Sequence, residues 1–429
     1  MEGIDMIEVI KGGVTAAKGF YAGSTEANIK YKNRTDMAMI VSDVPCAIAG
    51  TFTSNVVKAA CVQYDKKIVT ESKCGQAVVI NSGIANACTG KEGFNICEET
   101  AKAAAGILND VALRGEELKG MTDGIAPENI LVASTGVIGM QIPLDRIVAG
   151  TKKLAGLVKG SIEAGHDAAC AIMTTDTVPK EACCKMTFSD GTEAYIGGMC
   201  KGAGMIHPNM CTMLAFVTTD AAIDQALLQE ALKEDIKTTY NMVSVDGDTS
   251  TNDTCLVLAN GLAGNKKIEV KDADYAVFVE ALHYVNESLA KQMAADGEGA
   301  TMMFECKVVN ASDELSARKL ARSVVGSNLT KCAIFGKDAN WGRILCALGY
   351  SGAQFDPEVV DITICGTNDQ LVIVKDGVAT DYSEDKASEI LGDRNLTLLC
   401  DMKCGDAEAA AWGCDLTYDY VKINGDYRS

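Results

Sequence analysis

Between residues 274 and 296 the apolar positions fall on one helical face. Phe278, Leu282, Val285, Leu289 and Met293 recur at steps of four, three, four and four, the spacing that stacks side chains along one side of an α-helix. Gly297 follows as a candidate C-cap, which sets Glu298 just past the helix end. The period then changes to two: over 301–309, Phe304, Cys306 and Val308 alternate with Glu305 and Lys307, as in a half-buried strand. A further helix is expected over 93–110, rich in Ala and Glu and ending at Asn109-Asp110. Two hairpins are expected. One spans 183–200, with CKMTF and EAYIGGMC around Ser189-Asp190-Gly191-Thr192; the other joins LVIV to VAT through Lys375-Asp376-Gly377. Asp-Gly between strand-like runs is a strong turn pattern. Strands and helices are mixed throughout, with no internal repeat, low-complexity tract or long linker.

One apolar run begins abruptly. Lys201-Gly202-Ala203-Gly204 leads through the turn-forming Pro208-Asn209 to Met213, Leu214, Ala215, Phe216 and Val217, and Thr212 stands at the head of that run. On periodicity alone, such a threonine is a β-branched strand former. It also occupies the place of a self-cleaving N-terminal nucleophile. There the hydroxyl attacks the carbonyl of Cys211, the peptide passes to an ester, and water breaks the ester. Thr212 then carries a free α-amine that serves as base for its own hydroxyl.

Of the 429 residues, 48% are hydrophobic and 23% charged, enough for a large core. The net charge of −19 argues against non-specific binding to nucleic acid or anionic membranes. An anionic substrate then needs a local basic pocket. The 18 cysteines contain no CxxC pair, and only three histidines accompany them. Neither a zinc site nor a disulfide framework is expected, and reduced cytosolic thiols are the simplest reading. MEGIDMIEVIKGG lacks the basic and apolar segments of a signal peptide. No run of about 18 apolar residues marks a membrane span.

A series of motifs carries further information: GGVTAAKGF (12–20), NSGIANACTG (81–90), VASTGVIG (132–139), IMTTDT (172–177), VDGDTSTNDT (245–254), DGEGAT (296–301), GKDANWGRI (336–344) and DLTYDYVKINGDYRS at the C-terminus. In order and spacing, and together with the segment around Thr212, they resemble the ornithine acetyltransferase family, the glutamate N-acetyltransferases of arginine biosynthesis. The resemblance spans nearly the whole chain. It implies an α/β fold, a layered αββα sandwich of the N-terminal-nucleophile type with a second, smaller α/β domain. It also implies self-cleavage between Cys211 and Thr212 into fragments 1–211 and 212–429, which stay intertwined as two copies of each. The implied reaction moves acetyl from N2-acetylornithine to Thr212 and then to L-glutamate, in the cytoplasm. Bifunctional members also take acetyl from acetyl-CoA. No metal or tightly bound prosthetic group is implied.

By the same resemblance, Thr135 and Gly136 form the oxyanion hole, one through its hydroxyl and the other through its backbone N–H. Substrate-binding positions map to Thr175, Lys201, Thr212, Glu298, Asn424 and Ser429. Lys201 would pair with a substrate carboxylate. Glu298 would bind the ornithine side-chain ammonium or orient the nucleophile. Read without the family, Ser134-Thr135-Gly136 is a turn, Lys201 a surface residue and Glu298 a solvated helix-terminal carboxylate, at the electrostatically poor end for an anion. Within IMTTDT, Thr174 and Thr177 remain alternatives to Thr175. Three positions depart from the family: Cys211 replaces the usual Ala, His207 stands in the APNM segment, and Ile84 replaces a second Asn of NSGNANACTG. Cys211 and His207 suggest a Cys–His nucleophile, but they lie only four residues apart with no third, orienting group. VDGDTSTNDT does not match a calcium loop and reads as a hydrogen-bonded turn. Two other functions remain: a self-processed amidase or aminopeptidase, in which water replaces glutamate, and a non-catalytic binding protein that never cleaves.

Overall fold

The computed structural model describes residues 6–207 and 213–426. Among the described residues, nine strands form the larger sheet: β1 (Ile7–Val9), β2 (Phe20–Thr25), β3 (Met37–Phe52), β4 (Cys74–Asn81), β5 (Ile130–Ser134), β6 (Lys180–Thr187), β7 (Glu193–Lys201), β8 (Leu214–Thr219) and β10 (Thr254–Ala259). Their order is β1-β6-β7-β8-β10-β3-β4-β5, with β2 also on β3. The smaller sheet holds β9 (Val243–Ser244), β11 (Met303–Ala311), β12 (Asp361–Cys365), β13 (Gln370–Lys375), β14 (Val378–Ala379), β15 (Leu396–Asp401) and β16 (Ala407–Cys414), in the order β14-β13-β12-β15-β11-β16-β9. The helices are α1 (Ala60–Glu71), α2 (Gly90–Asn109), α3 (Leu144–Ala155), α4 (Ile162–Ala171), α5 (Gln225–Asp235), α6 (Ala273–Ala295), α7 (Glu314–Val325), α8 (Asn328–Phe335), α9 (Trp341–Gly349), α10 (Glu384–Ile390) and α11 (Tyr418–Asp426).

Strand β3 is long enough to serve two layers. Its first part pairs with β2 and β4 and its second with β10. The register against β4 shifts between Val41 and Cys46, an irregularity of the kind that bends a strand. Alternation on β8 and β10 defines the layers. Leu214, Phe216, Leu256 and Leu258 join one core with Met39, Val41 and Val79. Ala215, Val217, Cys255 and Val257 join another with Leu228 and Leu232 of α5 and Phe278, Leu282 and Leu289 of α6. Helices α1, α2 and α3 close the far side through β5, β3 and β2. The result is the layered helix–sheet–sheet–helix order of the expected fold, with the seven-stranded sheet as the second α/β unit. Both faces of these strands are covered, so they read as apolar runs without polar alternation.

Helix α6 occupies 273–295 and buries all five of its predicted positions completely. It packs on β6 and β7 with one side and on β9 and β16 with another. Its C-terminus differs from expectation. Asp296 is the cap, and Gly297 does not take the left-handed conformation, which Gly299 adopts instead (φ 68°). Gly297 is required for closeness: a Cβ there would lie 2.6 Å from Cys414 Sγ. The first hairpin pairs Lys180 with Cys200 through to Thr187 with Glu193. The second pairs Lys375 with Val378, with both Asp376 (φ 48°) and Gly377 (φ 71°) left-handed, as a type I′ turn requires. All cysteines among the described residues are free thiols, most of them buried. No helix among the described residues is long and apolar enough to cross a membrane.

Candidate active site

Where β5 and β7 end and β8 and β10 begin, the layers leave a cavity of about 350 Å³, a size typical of small-molecule sites. Thr135, Gly136, Lys201, Asp253, Glu298 and Asn424 contribute to its wall. They come from five separate parts of the chain, on strand ends, beyond helix α6 and on helix α11, and meet only in the folded molecule. Thr175 lines the same cavity, as do Met213 and Leu214, the residues immediately after Thr212. Cys211, Thr212 and Ser429 lie outside the described residues.

Strand β5 delivers Thr135 and Gly136 to the cavity edge. The Thr135 N–H donates to the Asn81 carbonyl (3.0 Å) and the Val137 N–H to the Gly83 carbonyl (3.1 Å), which locks the loop against residues 81–85. Gly136 has φ +130°, and a Cβ there would lie 2.3 Å from the Gly83 carbonyl carbon, so only glycine fits. Among the described residues the Gly136 N–H and the Thr135 hydroxyl have no hydrogen-bond partner. Two donors held in the wall of a cavity suit a developing oxyanion. Ile84, one of the departures, is buried, and its backbone bridges both Thr135 and Val137. The position supports the loop through its main chain, so an apolar side chain is tolerated there.

Lys201 ends β7 and is largely buried. Its Nζ donates to Thr174 Oγ1 (2.8 Å) and stands 3.6 Å from Asp176 Oδ2. Asp176 also meets Lys180 (2.8 Å), and Lys180 meets Asp296 (2.6 Å), so cations and anions alternate along one buried chain. Burial alone would raise the Asp176 carboxyl, but Lys201 and Lys180 hold it well below the usual carboxylate range. The threonines of IMTTDT thereby separate. Thr174 holds Lys201, Thr175 lines the cavity, and Thr177 turns away to donate to Asp296.

Glu298 is buried, only 8% exposed, in place of the solvated carboxylate that its position after a helix suggested. Its N–H donates to the Ala203 carbonyl (2.9 Å), and Asn424 of α11 donates to its Oε2 (2.7 Å). Gly204 makes room for it: a Cβ there would lie 2.4 Å from the Glu298 carboxyl.

The segment VDGDTSTNDT does form a hydrogen-bonded turn, with Asp246 accepting from the N–H groups of Met205, Ile206 and Asp248. It also supplies part of the cavity, which the turn reading missed. Asn252 donates to the carbonyls of Ala85 (2.5 Å) and Ser134 (2.8 Å), tying the turn to the loop before Thr135. Asp253 is 1% exposed, and neither carboxylate oxygen has a hydrogen-bond partner among the described residues. Burial pushes its carboxyl well above the usual range; the nearby Ser250 and Thr53 hydroxyls, Lys201 and the Met213 N–H pull it back only in part. An aspartate directly before the apolar strand TCLVLA, itself paired with the strand after Thr212, was the one sequence feature pointing to it.

His207 is engaged elsewhere, with Nδ1 3.0 Å from Ser244 Oγ. Burial, Arg322 and Lys331 push its pKa down to about 4, so it is neutral near pH 7. Among the described residues no group of three or more His, Cys, Asp or Glu side chains is placed to hold a metal ion.

Comparison with known proteins identifies the family to which the chain belongs. Residues 21–429 match the model of the ArgJ family. The arginine biosynthesis bifunctional protein ArgJ of Symbiobacterium thermophilum is 50% identical over 425 residues, 99% of this chain and 100% of that protein. Its namesake from Caldanaerobacter subterraneus subsp. tengcongensis is 45% identical over 423 residues, 99% of this chain and 100% of that protein. Among solved structures, the ornithine acetyltransferase of Mycobacterium tuberculosis complexed with ornithine is 38% identical, covers 47% of this chain and 98% of that one, and has a TM-score of 0.41.

Proposed function

Since the chain belongs to the ArgJ family and is an acyltransferase of arginine biosynthesis, we propose that it transfers acetyl from N2-acetylornithine to L-glutamate, yielding ornithine and N-acetylglutamate. The observation that carries this reading is the gathering of Thr135, Gly136, Lys201 and Glu298 around one cavity that also receives Met213, the residue bonded to Thr212. The chain first cleaves itself between Cys211 and Thr212, dividing into 1–211 and 212–429. The Thr212 hydroxyl attacks the Cys211 carbonyl, the C–N bond gives way to an ester, and water releases the Cys211 carboxylate. The new α-amine then serves Thr212 as base; an ordinary α-amine has a pKa of about 7.7–8.0, suited to work near neutral pH.

In the first half-reaction Thr212 attacks the acetyl carbonyl of N2-acetylornithine. Thr135 and Gly136 donate to the oxyanion, the tetrahedral adduct collapses, and ornithine leaves. In the second, the glutamate amine attacks acetyl-Thr212 through the same oxyanion hole. Lys201 pairs with the substrate α-carboxylate and Glu298 with the ornithine side-chain ammonium. Thr175, Asn424 and Ser429 complete substrate binding. Acetyl-CoA serves as a second donor. The chemistry needs no metal or tightly bound prosthetic group. The fragments work as two copies of each in the cytoplasm.

Denatured intact mass tests the maturation step. The expected result is two fragments summing to the chain plus one water, with Thr212 as a new N-terminus and no cleavage in Thr212→Ala. Labelled acetyl should then pass from N2-acetylornithine to glutamate. Release as free acetate would replace transfer with hydrolysis, and a single uncleaved chain would overturn self-processing. Thr135→Ala should lower transfer about 10²–10³-fold, the usual loss for one oxyanion donor.

A further inference from the structure

A second cavity, of about 650 Å³, takes Val56, Val57 and Lys58 from the loop before α1 and Lys91 and Phe94 from the first turns of α2. Its charges are of one sign. Among the described residues Lys58 and Lys91 line it and no carboxylate does, whereas Asp253 and Glu298 line the active-site cavity and Glu163, Asp167 and Glu181 line a cavity of about 580 Å³. Neither lysine has an ion-pair partner among the described residues. In a chain of net charge −19, such a lining is what an anionic ligand needs against the field of the whole molecule. The two cavities share a wall at two points. Ser250 lines the active-site cavity, and the next residue, Thr251, accepts from the N–H of Ala59 (2.9 Å), the neighbour of Lys58. Ile138 also lines the active-site cavity, and the next residue, Gly139, donates to the carbonyl of Ala87 (2.9 Å), just before Cys88 of the second cavity. The rims are apolar and open: Val56 is 92% exposed, Val57 47% and Ile138 39%, a run of exposed apolar side chains of the kind that marks a binding surface.

We propose that this second cavity holds the nucleotide end of acetyl-CoA. Lys58 and Lys91 meet its phosphates as point charges. Phe94 gives the adenine an aromatic partner, a contact that any base can make. The pantetheine arm runs past Val57 and Ile138 toward the active-site cavity. The proposal rests on the reading of acetyl-CoA as a second donor. N2-acetylornithine carries neither phosphate nor arm, so it reacts without touching this cavity. The two donors then deliver acetyl to one place while binding to different surfaces.

The test compares the two donors on the full enzyme, with glutamate as acceptor. In the double variant Lys58→Ala, Lys91→Ala the KM for acetyl-CoA is expected to rise about tenfold or more, while transfer from N2-acetylornithine keeps its kcat and KM. An unchanged KM for acetyl-CoA overturns the proposal. So does an equal loss with both donors, since the lysines would then serve the shared cavity or the fold. Wild type supplies a second measurement that needs no variant to fold. Adenosine 3′,5′-bisphosphate, which carries the adenine and phosphates without the arm, should compete with acetyl-CoA and leave transfer from N2-acetylornithine untouched. Inhibition of both transfers, or of neither, overturns the proposal. A wild-type enzyme that takes acetyl from N2-acetylornithine but not from acetyl-CoA gives a different result: the second-donor reading itself has failed, and the proposal falls with it.

Discussion

Two buried aspartates stand within the field of Lys201 and meet opposite fates. Asp176 is enclosed by Lys201 and Lys180 and accepts from the N–H groups of Thr174 and Gly202, so it stays ionised far below the usual carboxylate range. Asp253 is equally hidden but has no hydrogen-bond partner among the described residues, and burial drives it toward the neutral acid. Desolvation acts on both in the same direction; the difference is the second cation and the donated hydrogen bonds. One aspartate is part of a finished electrostatic chain that holds Lys201 in place. The other sits beside the residue that follows Thr212, with its hydrogen-bonding capacity unspent.

The strongest way to break the contrast is Lys180→Met. It leaves Asp176 and Asp296 buried without their shared cation, and removing one member of a buried pair costs about 3–5 kcal/mol. A large fall in urea midpoint is expected, best measured in a Thr212→Ala background so that one covalent chain unfolds. Lys201→Met should destabilise less, because Asp176 keeps its closer contact with Lys180. It should instead raise KM for both amino-acid substrates, which lose their carboxylate partner.

The two aspartates should then give pH dependences of opposite sign. The folded pKa of Asp176 is depressed, so its stabilisation is present above the unfolded value of about 3.9 and is lost as pH falls through the lower folded value. Relative to Asp176→Asn, wild type gains stability as pH rises toward 4. The folded pKa of Asp253 is raised, so above about pH 3.9 the folded state holds more protons than the unfolded one. Stability therefore falls with rising pH. Relative to Asp253→Asn in the uncleaved background, wild type should lose stability between pH 4 and 7. Unfolding midpoints measured from below about pH 3.9 for Asp176 and between pH 4 and 7 for Asp253 would settle both signs, and matching signs would remove the distinction. Gly204→Ala is a gentler probe. A Cβ pressed against the Glu298 carboxyl forces a local shift costing about 1–3 kcal/mol, read as a higher KM for acetylornithine with the Asp176 chain unaffected.

Much of this site was legible before the fold. Thr135, Gly136, Lys201, Glu298 and Asn424 were implied by the family resemblance, and all five line one cavity. Within IMTTDT the sequence left three threonines open, because adjacent residues of a loop differ by direction and not by pattern. The cavity shows Thr174 on Lys201, Thr175 on the wall and Thr177 on Asp296. Asp253 escaped because its segment has the composition of an ordinary turn, and it does make one.

What the sequence determined by itself is local and periodic. Helix α6 follows from five apolar positions on one face, the two hairpins from Asp-Gly, and β8 from the apolar run that begins at Met213. Each depends on neighbours a few residues away, so each can be read along the chain. Tertiary structure alone decided which charges found partners. Lys180 reaches Asp296 across 116 residues, Asn424 reaches Glu298 across 126, and Gly297 is held small by Cys414. Such pairings depend on which strands become neighbours in the sheets. The free energy of a buried charge depends on what lies within a few ångströms of it, and that is set only when the layers close.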